Sequence, residues 1–274
     1  MFEFETLLTL AAVAAGAGVV GGVLAGLLGV GGGIVIVPAL YLALSLTGMD
    51  SALTMQVAVG TSLATIVFTS LSSGYGHYRK GAIDMGLLRL WAPSILLGVV
   101  IGGILGGLVS GKVLIAVFAT VAALVALDMV LRDGGTGSEP RSFAKPVWAA
   151  LGVVAGAISA MMGIGGGTVC VPLLNFLGYD IRKAVGTSAA IGFVIGVPGA
   201  LVYMATGFGA EGLPPFSFGY VNLFLAAVII PLSTSFARVG VKLAHSIPRR
   251  ALRLAFGLFL MLTSLRMFSD LAGL

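Results

Sequence analysis

The sequence predicts an all-α polytopic membrane protein made of two inverted five-segment repeats, each opening with a Gly-interrupted helix hairpin. The first observation behind this prediction is composition, because 58% of the 274 residues are hydrophobic and only 9% are charged. An average soluble domain carries about 25% charged residues. The second observation is that apolar runs of roughly 20 residues, long enough to cross ~30 Å of hydrocarbon as helices, recur along the chain. The third is a glycine-rich motif that occurs twice, at 29–38 and at 163–172.

Five apolar segments are predicted in each half. They span 7–28, 33–46, 54–75, 86–109 and 113–131 in the first half, and 146–162, 167–178, 185–205, 216–241 and 251–269 in the second. The second segment of each half covers only about 20 Å as a helix, which is too little for an upright span. We therefore expect the first two segments of each half to form a hairpin that returns to its starting side.

Three full spans follow each hairpin, so each half reverses sidedness and the two repeats are expected to be inverted. The predicted domains are a first transmembrane repeat over 1–131, a polar cytoplasmic linker over 132–145 and a second transmembrane repeat over 146–274. The N-terminus has no positively charged n-region, so we expect the first segment to remain as a membrane helix.

The basic residues predict the orientation. With the N-terminus outside, all of the 15 Lys and Arg residues except Lys112 and Arg266 fall on the predicted cytoplasmic side. Cytoplasmic loops of membrane proteins carry the excess of Lys and Arg, and the opposite orientation would place nearly all of these residues outside. We therefore expect both termini on the outer side of the membrane.

The duplicated glycine motif is the strongest indication of a binding site. Three adjacent glycines disfavour a continuous helix, and a broken helix at membrane depth is tolerated only where it is buried in protein or lines a cavity. Such breaks at matching places in two halves point to a transporter's binding site. Helix N-termini attract anions, so two facing breaks would form one anion site near the midplane. The alternative is that the glycines only permit close helix packing.

A second duplicated motif, Gly-Thr-Ser, lies at 60–62 and 186–188. Its hydroxyls can bond a carbonyl within the helix or coordinate a ligand. Gln56 and Asn175 are further polar groups near the motifs, suited either to interhelical hydrogen bonds or to ligand contact. Cys170 is the one cysteine, and both histidines are distant from it in sequence. We therefore expect no metal site, no cofactor, no enzymatic activity and no nucleic-acid partner.

Two Gly-x-Gly-Gly-Gly-x4-Pro motifs, each followed by Ala-x-Gly-Thr-Ser, resemble the TauE/SafE family of sulfite exporters over essentially the whole chain. The resemblance implies export of sulfite or small organosulfonates such as sulfoacetate across the bacterial inner membrane. The motif residues that the resemblance places in the binding region are joined by Gln56 and Asn175, the two polar residues near them. The expected substrate-binding residues are Gly31, Gly32, Gly33, Pro38, Gln56, Thr61, Ser62, Gly165, Gly166, Gly167, Pro172, Asn175, Thr187 and Ser188.

The expected function is a secondary transporter whose two halves rock around a shared site. The alternative is an anion channel of the same fold. A linked ATPase is not encoded here, because the chain has no Gly-x4-Gly-Lys-Ser/Thr motif. The expected partners are a small anionic substrate and the lipid bilayer, and the oligomeric state stays open.

Overall fold

The structure, a computed structural model, describes residues 4–131, 144–243 and 249–272. The elements in these ranges are ten α-helices and one short two-stranded hairpin. Their bounds are α1 Phe4–Leu28, α2 Gly33–Ser45, α3 Ser51–Tyr78, α4 Met85–Leu108, α5 Gly111–Leu131, α6 Lys145–Met162, α7 Gly167–Phe176, α8 Ile181–Thr206, β1 Ser217–Phe218, β2 Val221–Asn222, α9 Leu223–Leu243 and α10 Arg249–Ala272.

Seven of the helices in the described part of the chain are long and apolar enough to cross a membrane. The predicted all-α polytopic membrane fold is therefore confirmed. Helices α2 and α7 are shorter, with 13 and 10 residues, and cover about 20 and 15 Å at 1.5 Å per residue. The short second segment expected in each half is thus present. The predicted linker lies, apart from residues 144–145, outside the described residues.

Glycines end the first helix of each half. The backbone turns left-handed at Gly29, Gly31 and Gly32, with φ of 69°, 72° and 85°. Helix α6 ends at Gly163, where φ is 66° and the next N–H, that of Ile164, donates to the Ser159 carbonyl at 3.0 Å. A left-handed residue at a helix end is well tolerated by glycine, which has no Cβ to clash. The motif therefore turns the chain back toward the helix it has just left.

Helix α1 packs against α9, and α4 packs against α6, and both pairs are parallel. Along α1, Gly18 lies beside Ile229 and Gly26 lies beside Ala237 of α9. The α4–α6 pair follows the same pattern, with Gly98 beside Val153 and Gly102 beside Ala157. Glycines at these contacts let two backbones approach closely, which is how helices associate in lipid.

Helix α3 packs against α8, and α5 packs against α10, and both pairs are antiparallel. Near the middle of α3, Leu63 lies beside Gly199 of α8, and farther along Ser70 lies beside Gly192. Between α5 and α10, Ser264 donates to the Ala119 carbonyl at 2.8 Å. Helices α1 to α5 correspond in order to α6 to α10. Exchanging each helix for its equivalent reproduces all four pairs, and parallel pairs stay parallel while antiparallel pairs stay antiparallel. The inverted relation between the repeats stays a prediction, which this pairing supports.

One predicted segment begins later than expected. Instead of a helix over 216–241, the chain forms the β1–β2 hairpin and α9 starts at Leu223. Phe216 has φ of 64° and Gly219 has φ of 56°, conformations that no α-helix accommodates. The Asn222 side chain holds the turn, because its Nδ2 donates to the Pro215 carbonyl at 2.9 Å and its Oδ1 accepts from the Leu225 N–H at 3.0 Å.

Candidate functional site

The two glycine motifs meet inside the protein. We define the first glycine loop as residues 29–33 and the second as residues 163–167, and every residue of both is buried. A Cβ placed on Gly31 would lie 3.1 Å from the Gly165 Cα, and one placed on Gly165 would lie 2.8 Å from the Val30 carbonyl oxygen. The loops are therefore in direct backbone contact.

The glycines of each loop face two different ways. A Cβ on Gly33 would overlap the Gly163 carbonyl oxygen, and one on Gly167 would overlap the Gly29 carbonyl oxygen. Gly33 and Gly167, the last glycines of the two Gly-Gly-Gly runs, therefore lie where the loops hold together. Gly32 and Gly166, the middle glycines of these runs, face other helices. A Cβ on Gly32 would lie 2.8 Å from the carbonyl oxygen of Gly21 in α1, and one on Gly166 would lie 2.7 Å from Cγ2 of Ile191 in α8.

The contact lies at mid-height of the two central helices. The Cβ position of Gly31 is 3.2 Å from Cγ2 of Ile66, a residue near the middle of α3. Gly166 packs beside Ile191, which lies in the middle part of α8. Both central helices are long enough to span a bilayer. The broken segments thus lie deep in the molecule and are enclosed by protein, the setting that non-helical backbone at membrane depth requires.

The serines of the two Gly-Thr-Ser motifs are used differently. Ser62 Oγ donates to the Gly163 carbonyl at 2.7 Å and so links α3 to the second glycine loop. Ser188 is also fully buried, but its Oγ has no hydrogen-bond partner. A buried hydroxyl without a partner is rare and costly. The two halves therefore differ at this position although their sequences match.

The threonines of the same motifs each hold the start of a helix in the other half. Thr61 Oγ1 accepts from the Asn222 N–H at 2.9 Å, and Thr187 Oγ1 accepts from the Asp84 N–H at 2.9 Å. The Asn222 side chain caps α9, and the Asp84 side chain caps α4. We call these two bonds the threonine tethers.

Comparison with known proteins decides the family. The model of the family described as sulfite exporter TauE/SafE matches residues 14–267. The chain belongs to the TauE/SafE family. The resemblance based on the duplicated motifs is therefore confirmed, and the match covers both glycine loops.

Curated relatives of this TauE/SafE protein carry transporter names. A "Probable membrane transporter protein" of Haemophilus influenzae is 34% identical over 253 residues, which is 92% of this chain and 95% of that protein. A protein of the same description from Methanocaldococcus jannaschii is 26% identical, covering 95% of this chain and 98% of that protein. The "Probable membrane transporter protein YunE" of Bacillus subtilis is 27% identical, covering 78% of this chain and 81% of that protein. No solved structure matches the chain.

The remaining predicted site residues of this TauE/SafE chain lie farther along the helices. Gln56 Nε2 donates to the carbonyls of Gly107 at 3.1 Å and Val109 at 3.2 Å, so it links α3 to the end of α4. Asn175 is half-buried in the last turn of α7. Pro38, in the middle of α2, lines a cavity of about 200 Å³ together with residues of α10. Pro172 is half-buried in α7.

Sequence reasoning missed two buried hydroxyls beside the second glycine loop. Ser159 precedes the loop in α6, and Thr168 follows it in α7; both are buried without a hydrogen-bond partner. The search for duplicated residues could not find them, because the matching positions in the first half are Ala25 and Ile34. Among the described residues, no group of three His, Cys, Asp or Glu side chains is placed to hold a metal ion.

Proposed function

We propose that this TauE/SafE protein is a secondary transporter that exports small sulfur oxyanions or organosulfonates, such as sulfite or sulfoacetate. Transport takes place by alternating access around the two glycine loops. The observation that carries the proposal is the buried contact between Gly31 and Gly165 at mid-height of the central helices. Helices α2 and α7 begin at these loops, and the unpaired N–H groups of their first turns suit an anion. The family's description supports the class of cargo.

Inverted repeats are part of the proposal. In transporters of this kind, the substrate site lies at the repeat interface near the midplane, and one half rocks against the other. If α1 runs from periplasm to cytoplasm, its parallel partner α9 does so too, and α4 and α6 run the opposite way. These relative directions agree with the expected topology in either orientation. The basic loops favour the orientation in which both termini of the inner-membrane protein lie in the periplasm.

The threonine tethers suggest where access is controlled. Asp84 lies in a loop proposed to be cytoplasmic, and Asn222 lies in the connection proposed to be periplasmic, so one tether lies toward each face. With the two glycine loops in contact, the substrate has no straight path between them. This state supports an occluded transporter over the alternative of an open anion channel, because rocking must separate the loops on one side at a time.

Counterflow in proteoliposomes tests the proposal. Vesicles holding the purified protein and loaded with unlabelled sulfite are diluted into buffer with ³⁵S-labelled sulfite, and the same is done with sulfoacetate and 2-hydroxyethanesulfonate. A transporter exchanges solutes, so we expect transient accumulation of label above its equilibrium level. A channel gives uptake that stops at equilibrium. Protein-free vesicles are the control, and absence of uptake with all three solutes would contradict the proposed function.

A further inference from the structure

Three buried hydroxyls around the second glycine loop have no hydrogen-bond partner. They belong to Ser159, Thr168 and Ser188, whose exposed fractions are 0%, 2% and 0%. Leaving a buried hydroxyl unpaired costs about 1–3 kcal/mol, so native proteins pair nearly all of them. At the matching positions of the first half, Ala25 and Ile34 have no hydroxyl, and Ser62 donates to the Gly163 carbonyl. Three unpaired donors thus belong to residues that adjoin the second loop, while the other unpaired hydroxyls of the described residues, those of Ser70, Ser73, Tyr203 and Thr234, belong to α3, α8 and α9.

These hydroxyls come from three different helices that adjoin the second loop. The Ser159 carbonyl in α6 accepts the Ile164 N–H. Thr168 lies in the first turn of α7. In α8, the Ser188 carbonyl oxygen is 3.1 Å from the Cβ position of Gly166. The N–H groups at the start of α7 are further donors at the same place. Donors from three helices thus flank a single loop, as expected for a ligand with several acceptor oxygens.

The donors near this loop are uncharged. Every Lys and Arg side chain whose burial the structure describes is exposed. The buried polar side chains in the described part of the chain include no Lys, Arg, Asp or Glu, and His77 is the one histidine among them. Its Nε2 lies 3.1 Å from the Gly26 carbonyl oxygen, before the first loop. A ligand at the second loop is therefore held by hydroxyls, amides and the α7 helix end.

We propose that the second glycine loop is the substrate-contacting half of the site, and that it selects a singly charged oxyanion. Ser159, Thr168 and Ser188 donate hydrogen bonds to the oxygens of this anion. The inference rests on the proposed function and ranks its substrates: hydrogen sulfite and sulfonates with a single negative charge bind more tightly than dianions such as sulfoacetate.

Charge selection follows from the cost of taking each charged group out of water. A second negative group adds its own desolvation cost, and the two groups repel each other more strongly outside water, so the second charge is unfavourable unless a donor or a cation pairs with it. Among the residues whose burial the structure describes, no Lys or Arg side chain is buried, so the second charge of a dianion finds no such partner there and costs more on binding than it gains. 2-Hydroxyethanesulfonate and sulfoacetate are nearly the same size but carry one and two negative charges, so they form a matched pair of probes.

The first arm of the test removes the hydroxyls. Ser188→Ala and Thr168→Val are compared with Thr234→Val, which also removes an unpaired hydroxyl but lies on α9. We expect the KM for 2-hydroxyethanesulfonate counterflow to rise about tenfold or more in the first two variants, since a hydrogen bond to a charged group contributes about 1.5–3 kcal/mol. The Thr234→Val variant should stay within about twofold of the wild type.

The second arm compares the two probes in the wild-type protein, where we expect a KM for 2-hydroxyethanesulfonate at least about tenfold below that for sulfoacetate. Equal KM values for the two probes would overturn the charge selection. Unchanged KM values in Ser188→Ala and Thr168→Val would overturn the contact with the second loop. Either result leaves the proposed function in place, whereas failure of the wild-type protein to transport any of the solutes overturns both.

Discussion

Gly33 is one of the glycines at which the contact between the two loops leaves no room for added volume. A Cβ there would overlap the Gly163 carbonyl oxygen and lie 2.9 Å from Ser62 Oγ, so Gly33→Ala separates the two loops and strains the bond between Ser62 and Gly163. We expect the free energy of unfolding to fall by about 1–3 kcal/mol and sulfite counterflow to fall with it. Thermal unfolding in detergent and the counterflow assay measure the two effects.

The matched control is Gly16→Ala in α1, because a Cβ at Gly16 meets nothing within 4 Å. Alanine is the better helix former, so this variant should be as stable as the wild type or more stable by up to about 1 kcal/mol. If Gly33→Ala behaves like Gly16→Ala, the close contact between the loops is not what stabilises this region.

Sequence could indicate that these glycines matter but not which way each one faces. The duplicated motif predicted a break at 29–33 and at 163–167, and the structure has both. It gave no means of telling that Gly32 packs against α1 while Gly33 packs against the other loop. That difference depends on the backbone dihedrals and on a contact between segments more than 100 residues apart in the chain.

At the scale of elements, the threonine tethers join each central helix to the start of a helix from the other half. Thr61→Val and Thr187→Val remove only the hydroxyl and leave the N–H of Asn222 or Asp84 without its acceptor. We expect each variant to lose about 1–3 kcal/mol of unfolding free energy with little change in KM. Thr→Ser at either position keeps the acceptor and should retain most of the stability. Thermal unfolding and counterflow KM are measured for all four variants.

The two roles considered for these threonines give opposite results. A threonine that contacts the substrate, as the motif alone suggested, would raise KM in the valine variant with a smaller change in stability. A KM increase of tenfold or more in Thr61→Val or Thr187→Val, without loss of stability, would therefore argue against a role confined to the tether.

Apolar run length predicted the helices well, because a span needs about 20 apolar residues and the bilayer allows few other structures. It failed at 216–222, where Phe216, Phe218 and Tyr220 extend the apolar pattern but form a hairpin. The signals against a helix were Pro214, Pro215 and Gly219, which favour turns. The threonine tethers were beyond prediction because their partners are more than 100 residues away.

At the scale of the whole molecule, each of the four main helix pairs joins a helix of the first half to a helix of the second half. If each helix is replaced by its equivalent in the other half, five places away, α1–α9 becomes α6–α4, while α3–α8 and α5–α10 map onto themselves. Parallel pairs stay parallel and antiparallel pairs stay antiparallel. The tethers follow the same rule, since α3 holds the start of α9 and α8 holds the start of α4. If the repeats are inverted, the two glycine loops approach from opposite faces. The sidedness of the connections in the membrane tests this.

Cysteine labelling measures that sidedness directly. Cys170 is the one cysteine of the chain and is buried, so it should react little with a membrane-impermeant maleimide. Four exposed positions form two matched pairs: Leu46 in the α2–α3 connection with Arg182 at the start of α8, and Arg79 after α3 with Glu211 after α8. For inverted repeats, the members of each pair lie on opposite sides of the membrane.

With the N-terminus outside, we expect Leu46→Cys and Glu211→Cys to be labelled in intact cells, and Arg79→Cys and Arg182→Cys only after the cells are permeabilised. Labelling of both members of a pair from the same side would mean parallel repeats. The glycine loops would then enter from one face, and alternating access around them would lose its structural basis. If instead Arg79→Cys and Arg182→Cys are labelled in intact cells and the other two only after permeabilisation, the repeats are inverted but the protein is inserted in the opposite orientation. The positive-inside rule predicts the direction of insertion and says nothing about the symmetry of the repeats.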